Sequence, residues 1–295
     1  DTTNLAAMSS GTELFSHIRS MLYTTVPTLL IVMLILGFVS TRGAAAAASE
    51  DVATVSTALR DHFEINVVVG LLPIAVMLIG ALKRLAPEVC MAASTLCALL
   101  LAWIYQDRTA TELITVLWQN QPGTTGVDSV DALLGRGGMV SMSWTLMLAL
   151  LALALGGVLL RGGFLEVLLA RLIGSIRRRS SLIAATIGSG VIGNAALGEA
   201  YVSIILTAQS YLPAFKRQAL SRSVLSRSVE EGATMTTGLI PWTTAGAFYA
   251  ATLGVATLDY LPYAFLNYLN PLVSIVMATL GIGLLRGSRA AADSR

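Results

Sequence analysis

Glu199 stands in G-N-A-A-L-G-E-A-Y, Gly193–Tyr201, inside an apolar run whose nearest basic residues are Arg179 and Lys216. A carboxylate held at such depth is costly and normally faces a cavity or an ion path. Away from water it favours a proton, and a bound cation favours its ionised form, so proton and cation compete for one group. A turn that reached water on the far side would instead leave Glu199 merely solvated. Asn194, in the same run, is a second candidate oxygen ligand.

The second reactive stretch is T-M-T-T-G-L-I-P-W-T-T-A-G, Thr234–Gly246. Pro241 removes a backbone donor and pushes Ile240 out of helical geometry. Carbonyls freed this way are tolerated at membrane depth only when buried or lining a cavity. Thr243 and Thr244 follow Glu231 by a run worth about 18 Å of helix. Hydroxyls and unpaired carbonyls are hard oxygen ligands of the kind Na+ takes. The competing reading is a proline kink whose threonines bond back to their own helix. Expected helix breaks are Gly193, Gly198, Gly238 and Pro241.

The elements that position these residues cross a membrane. The chain has 295 residues, 55% of them hydrophobic and 12% charged, with a mean hydropathy of +0.74. Apolar spans are expected at Met21–Ser40, Ile65–Leu82, Val89–Tyr105, Met139–Leu160 and Phe265–Leu285, each long enough for a hydrocarbon core of about 30 Å. A soluble reading would need several buried helices with almost no polar face. The fold class is therefore an all-α polytopic membrane protein. A polar external loop is expected at 41–64, a surface helix at Thr111–Asn120, an interfacial amphipathic helix at 163–178 and a cytoplasmic tail at 288–295.

Charge placement sets the orientation. With the Lys83-Arg84 turn inside, 15 Lys and Arg fall on the cytoplasmic side, leaving Arg42, Arg60, Arg108 and Arg136 outside. The segment 181–213 then has basic flanks on one side at both ends. Glycines at its centre and arms of about 14–16 residues, about 21–24 Å long, predict a re-entrant hairpin rather than two complete spans. A broken helix is expected over 230–255. Glu230 and Glu231 are placed at the cytoplasmic mouth, His17 and His62 at the periphery, and no Lys or Arg deep in a span.

A repeat is visible. L-Y-T-T-V-P-T-L-L-I-V-M-L-I-L-G-F, Leu22–Phe38, aligns without a gap on L-N-Y-L-N-P-L-V-S-I-V-M-A-T-L-G-I, Leu266–Ile282. Pro27 meets Pro271, and Gly37 meets Gly281. Upstream, D-T-T-N (Asp1–Asn4) aligns with W-T-T-A (Trp242–Ala245), which makes Asp1, Thr2, Thr3 and Asn4 candidate ligands alongside Thr243 and Thr244. The two copies run in opposite directions, as in secondary transporters built from inverted repeats. On this reading 1–40 closes a first repeat that is incomplete here, and 65–287 forms the second.

Other chemistry is not signalled. Cys90 and Cys97 lack metal-ligand partners, no P-loop or dinucleotide fingerprint occurs, and a net charge of +2 does not point to nucleic acid. Ser189 has no deep base nearby in sequence, so an intramembrane hydrolase is set aside and no enzyme activity or cofactor is expected.

S-R-S-V-E-E-G-A-T-M-T-T-G-L-I-P-W-T-T-A-G-A (Ser226–Ala247), L-P-Y-A-F-L-N-Y-L-N-P-L (Leu261–Leu272), D-T-T-N-L-A and D-S-V-D-A-L-L-G-R-G-G-M (Asp128–Met139) resemble NhaC-type Na+/H+ antiporters of the ion transporter superfamily. The family carries Gly-Asp-Gln-Tyr where this chain has Gly198-Glu199-Ala200-Tyr201. The resemblance implies inverted repeats, each with a re-entrant hairpin and a broken helix, in the cytoplasmic membrane. It implies Na+ and H+ as transported partners, with Glu199 and Asp1 as carboxylates and Thr2, Thr3, Thr243 and Thr244 as neutral ligands. The alternative is a Na+- or H+-coupled exchanger of small carboxylates or amino acids, of the malate and lactate type. A homodimer is compatible with either.

Overall fold

A computed structural model of the chain describes residues 2–40, 47–64, 66–83, 85–119, 121, 123–135, 137–164, 167, 173–174, 176–285. Asp1, half of the expected helix at 163–178 and the tail at 288–295 lie outside the described residues. In lipid each backbone N–H and C=O must be bonded within its own segment or to its neighbours. Accordingly no strand occurs among the described residues. Among the described residues four helical stretches are long and apolar enough to cross a bilayer, Leu14–Val39, Glu88–Tyr105, Val140–Arg161 and Arg179–Leu197, or up to six if each of two bent helix pairs is one span. The chain divides into two compact units, 1–39 with 144–295, and 40–143.

The 40–143 unit holds α3 (Ala47–His62), α4 (Val67–Gly70), α5 (Leu72–Leu82), α6 (Pro87–Tyr105), α7 (Ala110–Trp118) and α8 (Asp128–Leu134). The expected loop at 41–64 thus carries a helix. The span expected at Ile65–Leu82 is stepped at Leu71, whose N–H bonds back to Val67. α5 and α6 form a hairpin so close that a methyl group on Gly80 would sit 2.6 Å from Cys90 Sγ. The surface helix is α7, started by a capping box in which Thr109 and Glu112 bond each other's backbone. The Thr109 N–H, then its hydroxyl, hold the Glu112 carboxyl below the usual carboxylate range. Asp131 ties its loop together by accepting from the Thr125 N–H and hydroxyl, both at 2.7 Å.

The other unit contains α1 (Thr2–Ser10), α2 (Leu14–Ser40), α9 (Ser143–Arg161), α10 (Arg179–Leu197), α11 (Ala200–Arg217) and α12 (Arg222–Gly232). It continues with α13 (Thr234–Thr237), α14 (Thr244–Leu253), α15 (Thr257–Tyr260) and α16 (Phe265–Thr279). α2 is built inside out. Its buried stripe is His17, Ser20, Thr24, Thr28 and Val32, while Leu22, Leu30, Met33 and Leu34 face outward. Recurrence at three and four residues places that polar stripe on one face, and an apolar outer face is what lipid favours.

α10 and α11 are the arms of the expected hairpin, and at 19 and 18 residues they exceed the lengths read from sequence. Nineteen residues rise about 28 Å, so arm length no longer separates a re-entrant hairpin from two crossings. The arms close on small residues: a methyl on Gly193 would strike Ser203 Oγ, and Ser203 donates to the Gly190 carbonyl at 2.9 Å. Gly193 lies inside α10 and does not break it. α10 also crosses α12 backbone to backbone, where a methyl on Gly190 would lie 2.7 Å from the carbonyl carbon of Gly232. The last helix stops at Thr279 rather than 285, and Gly281 at φ +76° turns the chain away.

Candidate functional site

The hairpin turn and the helix break meet. Gly198 ends α10 at φ +68°, and Glu199 caps α11 by accepting from Tyr201 N–H at 3.3 Å. Across from it, Thr244 begins α14. Its N–H donates to the Gly198 carbonyl at 3.0 Å and its hydroxyl to Glu199 Oε2 at 2.8 Å. Trp242 Nε1 donates to the Ala195 carbonyl at 2.8 Å. Two stretches separated by some forty-five residues are thus joined at a partly exposed carboxylate.

The break runs from Gly238 to Thr243, on either side of Pro241. Its freed carbonyls are met by side chains. Asn267 Nδ2 donates to Met235 O at 2.7 Å and Tyr260 Oη to Gly238 O, while Asn194 Nδ2 donates at 2.6 Å to Ala233 O, a carbonyl that also accepts from the Thr237 N–H. Thr243 is buried and donates to Thr237 O at 2.6 Å, with Ile240 O also in reach at 2.9 Å, while accepting from Gly246 N–H. Thr243 therefore serves as a cap within its own break, and Thr244 reaches outward. Asn194 keeps a buried Oδ1 with no partner.

Thr2, Thr3 and Asn4 open α1, a short helix that ends at Gly11 with φ +67°; Thr244 and Ala245, capped by Thr243, open α14, a short helix that ends at Gly254 with φ +63°. Thr3 donates to Glu230 Oε1 at 3.0 Å. The aligned threonines Thr3 and Thr244 thus each hold a glutamate, but different ones. Thr2 is half-buried and Asn4 exposed.

A family model described as the Na+/H+ antiporter family matches residues 1–282. The chain belongs to the Na+/H+ antiporter family. It is 35% identical over 285 residues to the Na+/H+ antiporter NhaC of Alkalihalophilus pseudofirmus, covering 96% of this chain and 61% of that protein. It is 35% identical to NhaC of Bacillus subtilis over 94% of this chain and 61% of that one. The malate-2H+/Na+-lactate antiporter of Bacillus subtilis is 28% identical over 95% of this chain and 60% of its own length. The chain thus spans about three fifths of these relatives. No solved structure gives a significant match.

This family member also holds a buried ionic cluster that its sequence does not announce. Glu231 and Glu230, expected at the cytoplasmic mouth, are 0% and 4% exposed, and Arg227 is 1% exposed. Glu231 Oε1 accepts from the Thr24 hydroxyl at 2.6 Å and lies 3.8 Å from Arg227 Nε. Arg227 also donates to the Ser20 and Gly283 carbonyls at 3.4 and 3.3 Å. His17, expected at the periphery, is fully buried with Nδ1 2.7 Å from Ser226 Oγ. Averaged hydropathy hides these groups because Arg222, Arg227, Glu230 and Glu231 lie in one short charged helix. The available signal was the complementary stripe on α2, polar at helical spacing in an otherwise apolar span.

Proposed function

We propose that the protein is a secondary active transporter exchanging Na+ for H+ across the cytoplasmic membrane by alternating access. The observation that carries this reading is the Thr244–Glu199 contact, 2.8 Å long, in a member of the Na+/H+ antiporter family. A partly exposed carboxylate at a joint between a hairpin turn and a broken helix is open to water and near a hinge. Rocking of the hairpin against the break would move it from one side to the other. Thr244, Asn194, Thr2 and Thr3 are the neutral oxygen ligands of this scheme, Asp1 a second carboxylate, and Thr243 the cap that keeps the break open. The matching short helices that end at Gly11 and Gly254 support an inverted repeat. The charge bias supports a re-entrant hairpin and a cytoplasmic C-terminus, and a homodimer in the bilayer is the assembly to test.

Glu199→Gln keeps the acceptor oxygen for Thr244 and removes the titrating group. In everted vesicles carrying the complete gene product, this variant should lose Na+-driven proton movement to background. Exchange at the wild-type rate would sink the role of Glu199. One observation favours a second reading. Arg227 is a buried guanidinium, the group best shaped for a carboxylate, and one relative is named a malate-2H+/Na+-lactate antiporter. Counterflow of labelled malate or lactate separates that reading from Na+/H+ exchange.

A further inference from the structure

We infer that Glu231, with Thr24, Asn270 and Ser274, forms an inner site for a monovalent hard cation, distinct from the Glu199–Thr244 joint. The inference rests on the Na+/H+ reading and deepens it. Glu231 is fully buried, with Oε1 taken by Thr24 and Oε2 without a partner. Asn270 on α16 is also fully buried, and neither its Oδ1 nor its Nδ2 has a partner. Ser274 lies beside the Glu231 carboxylate, and its buried hydroxyl has no other partner.

These groups converge through the packing of α16 on α12 and α13. Asn267 binds Met235 O, Ser274 lies beside Glu231, and Gly283 O binds Arg227. α16 therefore runs antiparallel to the 227–235 stretch. Asn270 falls between Asn267 and Ser274, one turn from Ser274 on the same face, a register that sets it over the 231–235 stretch. An unpartnered buried polar group costs about 1–3 kcal/mol. Several of them together around one carboxylate are accounted for by an ion that they jointly coordinate.

Charge balance names the ion's class. With both carboxylates ionised, Arg227 offsets one of Glu230 and Glu231 and leaves one negative charge. A single proton or a single monovalent cation restores neutrality, and each excludes the other. Of the other titratable groups facing this point, His17 on α2 is bonded to Ser226, and Tyr211 on α11 is bonded to Ser189 at 2.8 Å. α1 and α13 bring none, α10 brings only Arg179 at its start, and Tyr268 of α16 bonds Pro262 O. The oxygen set of carboxylate, amide and two hydroxyls suits Na+. Among the described residues no three of His, Cys, Asp and Glu converge as a divalent metal would ask.

The test is thermal melting of the purified complete gene product in detergent, titrated with NaCl against choline chloride at constant ionic strength. Wild type should be stabilised by Na+ in a saturable way. Glu231→Gln should abolish the Na+ response. Asn270→Ala, which leaves the Arg227–Glu231 pair intact, should raise half-saturating Na+ by at least about tenfold, the loss of one charge-assisted contact. This second variant decides the matter if the first does not fold. A Na+ response unchanged in Asn270→Ala overturns the inner site and leaves the Glu199 reading standing. A wild type that does not respond to Na+ overturns both.

Discussion

Gly190→Ala should destabilise the protein at the upper end of about 1–3 kcal/mol or beyond, because the added methyl has nowhere to go. Its Cβ would lie 2.7 Å from the carbonyl carbon of Gly232 and 2.8 Å from Ala233 N. Both are backbone atoms, so no side-chain rotation relieves the clash. The counterpart substitution is worse placed still, since a methyl on Gly232 would strike the Ile187 carbonyl. The two helices can separate only by dragging Asn194 from Ala233, which pulls the hairpin away from the residues that lead into the break. Gly188 is the control. Nothing lies within 4 Å of the point where its added methyl would stand, and alanine there should stabilise the helix by about 0.5–1 kcal/mol. Melting of purified Gly188→Ala and Gly190→Ala in detergent checks the pair. Equal melting temperatures would show that α10 and α12 do not cross at these glycines.

Arg227→Met should cost about 3–5 kcal/mol, the penalty for stranding a buried charge after its partner is removed. Glu231 and Glu230 would then share a core with no cation from the chain. Adding Glu231→Gln removes one of those charges, so the double variant should regain much of the loss. The separation of 3.8 Å and the long bonds from Arg227 to Ser20 O and Gly283 O describe a loose pair. Its role is therefore compensation of charge more than a source of stability. A double-mutant cycle on melting free energies measures the coupling. Additive losses would mean that the two side chains do not act as partners. The same cycle with malate present distinguishes a guanidinium reserved for Glu231 from one offered to a carboxylate substrate, because only the latter gains a ligand-dependent shift that Arg227→Met removes.

The joint at Glu199 was legible because its signals are local. Gly198 allows the left-handed turn, Glu199 can cap the helix after it, and Pro241 forbids a continuous helix whatever lies around it. That Thr244 and not Thr243 would reach Glu199 was not legible. Adjacent threonines differ by about 100° around a helix, and only the docked hairpin selects between them.

The buried ionic cluster shows the opposite case. In sequence, Arg222–Gly232 reads as a charged segment between apolar runs, and charged segments normally seek water. Here α12 is enclosed by α1, α2, α10, α11 and α16, and α2 offers it His17, the Ser20 carbonyl and Thr24. Burial of Arg227 and Glu231 depends on those partners, which come from more than two hundred residues away.

By itself, then, the sequence determined the all-helical membrane character, the two helix interruptions and the repeat of the Thr-Thr and Pro patterns. These follow from backbone satisfaction in lipid and from the fixed geometry of Gly and Pro. Only the tertiary structure decided which carboxylates are buried, which hydroxyl holds each of them, and which amide is left without a partner. Those outcomes are pairings between distant helices, and the free energy of burying a charge is set by what stands opposite it rather than by its neighbours along the chain.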